Sequence, residues 1–183
     1  FITDFFLLPY IVGENTRNPL SKDYLSNLKQ IFEYIHEFTD IKSNFPKYGD
    51  EDDGKVICLS MDKHYNNFKS LMTSAAILFE DSRFKSKSEG FDLKNELLFG
   101  EKGRNMFNEI DSLKSEQVSK FYKPEGHFIF RKQKNEKEIY LHFDAAPLGY
   151  LSIAAHGHAD ALSLLMQING FPIFVDSGTY SYH

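Results

Sequence analysis

Tryptophan is absent from this chain, and cysteine occurs once, at Cys58. A single thiol excludes an internal disulfide framework and any zinc site built on several cysteines, so a bound metal would take its ligands from histidine and aspartate. Long apolar runs are missing as well: the longest candidate, Phe5 to Val12, falls short of the about 18 residues a membrane-spanning helix needs. No membrane span is expected. Basic charge is not in excess, since 21 Lys and Arg stand against 26 Asp and Glu for a net charge of −5. That balance argues against a whole-surface attraction to polyanions, and the aromatic and basic residues from Phe121 to Lys132 make no nucleic-acid patch. Nucleic acid is set aside as a partner. The sequence opens at Phe1 without methionine or a basic leader, so any secretion signal is expected upstream of it.

What is present suits a globular protein. With 183 residues, 42% hydrophobic and 26% charged, the chain can bury a substantial core. Phe1 to Val12 reads as a helix end kinked or stopped near Pro9. Ser21 is a plausible N-cap for a helix carrying Leu25, Leu28, Phe32 and Ile35 on one stripe, with His36 beside it as a boundary or surface residue. Asn67 to Glu80 has apolar residues at helical spacing, and a shorter helix is expected over Leu93 to Phe99. The polar stretch around Asn105 to Gln117 reads as an inter-domain linker, dividing 1–104 from 118–183. Beyond it the period changes to two. Phe128 and Phe130 alternate with polar neighbours, as do Ile139, Leu141 and Phe143, which predicts a hairpin with His142 on the exposed polar side. Ala161 to Ile168 and Phe171 to Asp176 form a second pair of strands about Asn169-Gly170, the strongest two-residue hairpin signal. Helices first and strands second predict an α+β protein with segregated layers.

The chemistry concentrates in Ala154-Ala155-His156-Gly157-His158-Ala159-Asp160-Ala161-Leu162-Ser163 and in Val175-Asp176-Ser177-Gly178-Thr179-Tyr180. On an extended segment His156, His158 and Asp160 share a face, and such a set suits metal binding, proton transfer, or one of each. The plain alternative is a hydrogen-bonded feature of a sheet edge. A second acidic stretch, Asn44 to Gly54, is not an EF-hand loop: its glycine comes one place early relative to Asp50, and Met61 stands where a bidentate Glu should.

The string His156 to Ser163, then Asn169 to Pro172, then Val175 to Tyr182, resembles the heparinase II/III-like polysaccharide lyases. The Pro46 to Gly54 stretch, with Asp50, Asp52 and Asp53, resembles a loop near the end of that family's helical domain. The resemblance implies the C-terminal helices of an incomplete (α/α) toroid followed by an antiparallel β-sandwich, with the active cleft between them. It implies a bacterial enzyme of carbohydrate metabolism that cleaves acidic, uronic-acid-containing polysaccharide by β-elimination; heparan-like, alginate-like and bacterial surface glycans all fit. It also implies His156 as the catalytic residue and zinc bound by His158 and Asp176. Asp160, Asp50, Asp52 and Tyr180 are further candidates to support the site or touch substrate. A third zinc ligand and the catalytic tyrosine are expected outside this sequence, Tyr10 and Tyr24 reading as helix-face packing. Degradative relatives imply a periplasmic or secreted location.

One geometric objection stands. If Asn169-Gly170 is a plain two-residue turn, Asp176 faces Ser163, and His158 lies five strand residues away, about 15 Å, with the wrong parity. The metal reading therefore expects residues 156–160 to curl back, or a bulge to shift the ladder. Among other classes, an amidohydrolase-type metal hydrolase and a cupin fit the surrounding elements poorly, and neither Ser163 nor Ser177 sits in a nucleophile elbow. The serious rival is a non-catalytic carbohydrate-binding or polysaccharide-assembly protein on the same scaffold.

Overall fold

The computed structural model describes residues 1–49, 56–57, 59, 65–113, 117–135, 137–149 and 161–178. The chain divides into two compact units, one of Phe1–His36 with Gly54–Ser115 and one of Glu37–Asp53 with Glu116–His183.

The first unit is helical. Its elements are α1 (Ile2–Asn15), α2 (Lys22–Phe38, whose last two residues enter the second unit), α3 (Asn67–Phe79), α4 (Ser82–Lys85) and α5 (Leu93–Glu109). Helix α2 starts where its N-cap predicts, with the Tyr24 amide donating to Ser21 Oγ at 3.1 Å. Its stripe of Leu28, Phe32 and Ile35 is buried. Helix α3 is capped by Asn66, which accepts from the Phe68 and Lys69 amides, and buries Leu71, Met72, Ala75 and Ala76. Three expectations are corrected here. Helix α1 runs through Pro9 to Asn15, because buried Leu7 and Ile11 on either side tie both turns to the core. His36 is buried rather than superficial, its ring edge-on to Phe84 at 5.7 Å. Helix α5 breaks helical geometry at Gly100 (φ 58°, ψ −159°) and then resumes to Glu109, so residues 105–109, expected in the linker, are helical. A buried ion pair crosses this unit: Lys94 Nζ lies 3.2 Å from Asp4 Oδ1, and Asn67 bonds to both. Among the described residues no helix is long and apolar enough to cross a membrane.

The second unit is a five-stranded antiparallel meander: β1 (Lys120–Tyr122), β2 (His127–Lys134), β3 (Lys137–Asp144), β4 (Leu164–Ile168) and β5 (Phe171–Phe174), in that spatial order. Both hairpins foreseen in the sequence form, with shorter second strands. Asn169 (φ 52°) and Gly170 (φ 72°) both take left-handed geometry, as a type I′ turn requires.

The alternation was legible, but its sense is reversed. The row His127, Ile129, Arg131, Gln133 on β2 pairs with Asp144, His142, Tyr140, Glu138 on β3, and this polar row is the buried one. It is covered by residues 37–49, whose Phe38 and Tyr48 rings lie on the two histidines. Arg131 and Glu138 form a fully buried ion pair there. Arg131 also donates to the Glu37 and Thr39 carbonyls, while Glu138 accepts from the Ile41 amide, so the covering segment is bonded to the sheet by its own backbone. The apolar row faces outward, with Phe130 44%, Leu164 45% and Phe171 63% exposed. An open apolar face of this kind is what one layer of a β-sandwich offers to a second.

Candidate functional site

One end of the sheet gathers the chemistry. At that end β1 stops, β2 begins with His127, β3 stops at Asp144, β4 begins at Leu164 and β5 stops at Phe174. Residues 145–163 connect β3 to β4 there, and their two roots are bonded together: the Asp144 amide donates to the Ser163 carbonyl at 3.0 Å. Asp144 Oδ1 accepts from the Ala146 amide at 2.8 Å, and the Ala145 amide donates to the Gly126 carbonyl at 2.8 Å. Gly126 has φ 82°, and a Cβ on it would lie 2.5 Å from the Ala146 backbone, so this close approach needs glycine.

Of the residues expected in the site, Asp176 is the described one. It is half-buried just beyond β5, and its Oδ1 accepts from the Gly178 amide at 2.6 Å. His156, His158, Asp160, Asp50, Asp52 and Tyr180 lie outside the described residues. The ladder speaks to the geometric objection. Ile168 pairs with Phe171 and Gln167 with Pro172, as a plain turn dictates, but Met166 pairs with Phe174. The irregularity between Met166 and Gln167 shifts the register by one and reverses the parity that stood against Asp176. Nor does the strand run straight back toward His158: β4 starts at Leu164, and Ala161–Leu162 form a turn with Leu162 at φ 61°. Tyr24 packs as expected, its hydroxyl donating to the Phe6 carbonyl.

Sequence reasoning missed a buried histidine pair. His142 is fully buried rather than exposed, because the 37–49 segment covers its side of the sheet. Its Nε2 lies 3.2 Å from His127 Nδ1, which in turn is 3.6 Å from Asp144 Oδ1. The Tyr48 ring sits 5.0 Å from each imidazole. Burial drives the His142 pKa down to about 3, with the neighbouring imidazole adding to the shift. Burial also lowers that of His127, against the opposing pull of Asp144 and Glu125. Both rings are therefore neutral at pH 7, and one N–H joins them. His142 Nδ1 is buried without a hydrogen-bond partner among the described residues. The signal that would have found the pair is the tight hairpin in which Lys134 pairs with Lys137, a register that puts His127 opposite Asp144 and His142 one step inward. No cluster of three or more His, Cys, Asp or Glu able to hold a metal occurs among the described residues.

Comparison with known proteins agrees with this architecture. Residues 118–183 match the family model "Heparinase II/III-like, C-terminal". No curated protein matches the chain. Among solved structures, the heparan sulfate lyase HepC from Pedobacter heparinus superposes with a TM-score of 0.65 at 16% identity, over 100% of this chain and 24% of that one. The heparinase III BT4657 gene product, with methylated lysines, gives 0.63 at 16% identity, over 98% of this chain and 24% of that one. The chain thus spans about a quarter of the length of the lyases it resembles. It shares their α+β fold, helices of a toroid followed by a β-sandwich sheet. With the sheet and the matched stretch in agreement, residues 118–183 resemble the C-terminal region of the heparinase II/III-like family.

Proposed function

We propose that this chain is part of a polysaccharide lyase that cleaves uronic-acid-containing glycans by β-elimination. In that reaction a base takes the proton from C5, a C4–C5 double bond forms, and the C4–O bond breaks as the leaving oxygen gains a proton. His156 is proposed at the catalytic centre, where a neutral imidazole exchanges protons near pH 7. The observation that supports the reading is the register shift in the β4–β5 ladder, which removes the parity objection to Asp176 at the sheet end where the 145–163 segment is rooted.

Zinc fits the donor set, since an imidazole from His158 and a carboxylate from Asp176 are both ordinary ligands for it. Bound there, zinc would serve as a cross-link between the 145–163 segment and the end of β5, and the rest of its coordination would come from elsewhere in the protein.

The test uses the full-length protein with heparan-like, alginate-like and bacterial surface glycans, read by the ultraviolet absorbance of the unsaturated uronate. Cleavage of one class, lost in His156→Ala, supports the reading. Glycans that are bound and never cut overturn it in favour of a carbohydrate-binding or polysaccharide-assembly role.

A further inference from the structure

We propose that His127, His142 and Asp144 are positioning residues for the site proposed above, holding both roots of the 145–163 segment in place. The inference rests on that functional reading but stands on different atoms. Asp144 is the last residue of β3, and it secures the segment two ways: its amide bonds Ser163 at the far root and its carboxylate bonds the Ala146 amide at the near root, while His127 Nδ1 lies 3.6 Å from that carboxylate. Behind it His127 contacts His142 at 3.2 Å, and both rings are closed over by Tyr48 and Phe38. The result is a row of three polar groups running from the sheet interior to the base of the segment.

A purely structural role explains this row poorly. Two imidazoles in a covered layer cost desolvation, and His142 Nδ1 lacks a hydrogen bond among the described residues, so apolar side chains of similar size would pack there at less cost. Attachment of the 37–49 segment does not need them either, because Arg131, Glu138 and Tyr140 already bond its backbone at Glu37, Phe38, Thr39 and Ile41. What His127 approaches, with His142 packed behind it, is Asp144. The charged and titratable groups facing the pair are Asp144 from β3, Glu125 from the β1–β2 turn and Tyr48 from the covering segment, with Tyr122 of β1 engaged by Glu37. Of these only Asp144 reaches both a histidine and the segment roots.

The experiment compares His127→Gln, His142→Gln and Asp144→Asn with the wild-type full-length protein. Two readouts are taken: steady-state kinetics on the cleaved glycan, and deuterium uptake of peptides covering 145–149, 161–163 and, as reference, 37–49. The inference expects uptake at 145–149 and 161–163 to rise about fivefold or more while 37–49 stays protected, since the segment roots open locally without loss of the layer. It also expects kcat to fall about tenfold or more with KM within about twofold, as misplacement of a reacting group produces. Unchanged uptake, or a rise spread evenly over all three peptides, overturns it, as does a raised KM at constant kcat. Asp144→Asn keeps size and the acceptor for Ala146, so it reports even if a histidine variant fails to fold. If the wild-type protein cuts no glycan, the lyase reading falls, and the uptake measurement still decides the positioning of the roots.

Discussion

His142 shows how far one residue's behaviour depends on what covers it. Its pKa in the folded protein, about 3, lies well below the ordinary histidine value of about 6.5. The unfolded chain therefore binds the proton first. Stability is fully present above about pH 6.5 and is lost as pH falls toward the folded value, by up to about 1.4 kcal/mol per pH unit. Denaturant titrations at pH 7, 6 and 5 should show this decline, and His142→Leu should flatten it; an equal slope in the variant would falsify the assignment. Lys94 offers a second case, since burial pulls its pKa down against the favourable pull of Asp4. Lys94→Met alone leaves Asp4 buried without its cation and should cost about 3–5 kcal/mol. The double variant Lys94→Met, Asp4→Leu should cost less, measured by the same unfolding titrations.

Among the elements, turns and ladders decide where the site residues fall. Asn169-Gly170 is readable because a type I′ turn demands left-handed backbone at both positions, and its neighbours alternate. The one-residue irregularity between Met166 and Gln167 lies beside Pro172, which has no amide hydrogen to give the ladder, but a proline alone does not fix the direction or size of a register shift. Two glycine substitutions separate local from tertiary demands. A Cβ at Gly170 meets the flexible Lys42 side chain at 2.6 Å, whereas one at Gly126 meets the Ala146 backbone at 2.5 Å. Gly170→Ala should thus cost about 1 kcal/mol and leave activity near wild type, while Gly126→Ala should cost about 2 kcal/mol or more and reduce kcat. Thermal unfolding with parallel assays would reveal a reversed order if the segment root were unimportant. In the helices, Ser21 declared the start of α2, but Gly100 disguised the continuation of α5, because a residue that usually ends a helix here interrupts one.

Across the molecule, the metal assignment is the prediction with the widest reach. Metal analysis of the purified full-length protein should find zinc, lost in both His158→Ala and Asp176→Ala, with a lowered Tm on chelation. Metal retained in either variant would remove that residue from the ligand set. What the sequence determined by itself is the part carried by nearest neighbours: the strings around His156 and Asp176, the hairpin at Asn169-Gly170, the α2 cap, and the change from period 3.6 to period two. The covered face of the sheet was decided only by tertiary structure. Alternation says that two faces differ, not which will be buried, and here residues 37–49, about 90 positions away in the chain, bring backbone partners for Arg131 and Glu138 and rings for His127 and His142. A polar row can go inside only when hydrogen bonds from a distant segment meet it there, and no local pattern in β2 or β3 records that meeting.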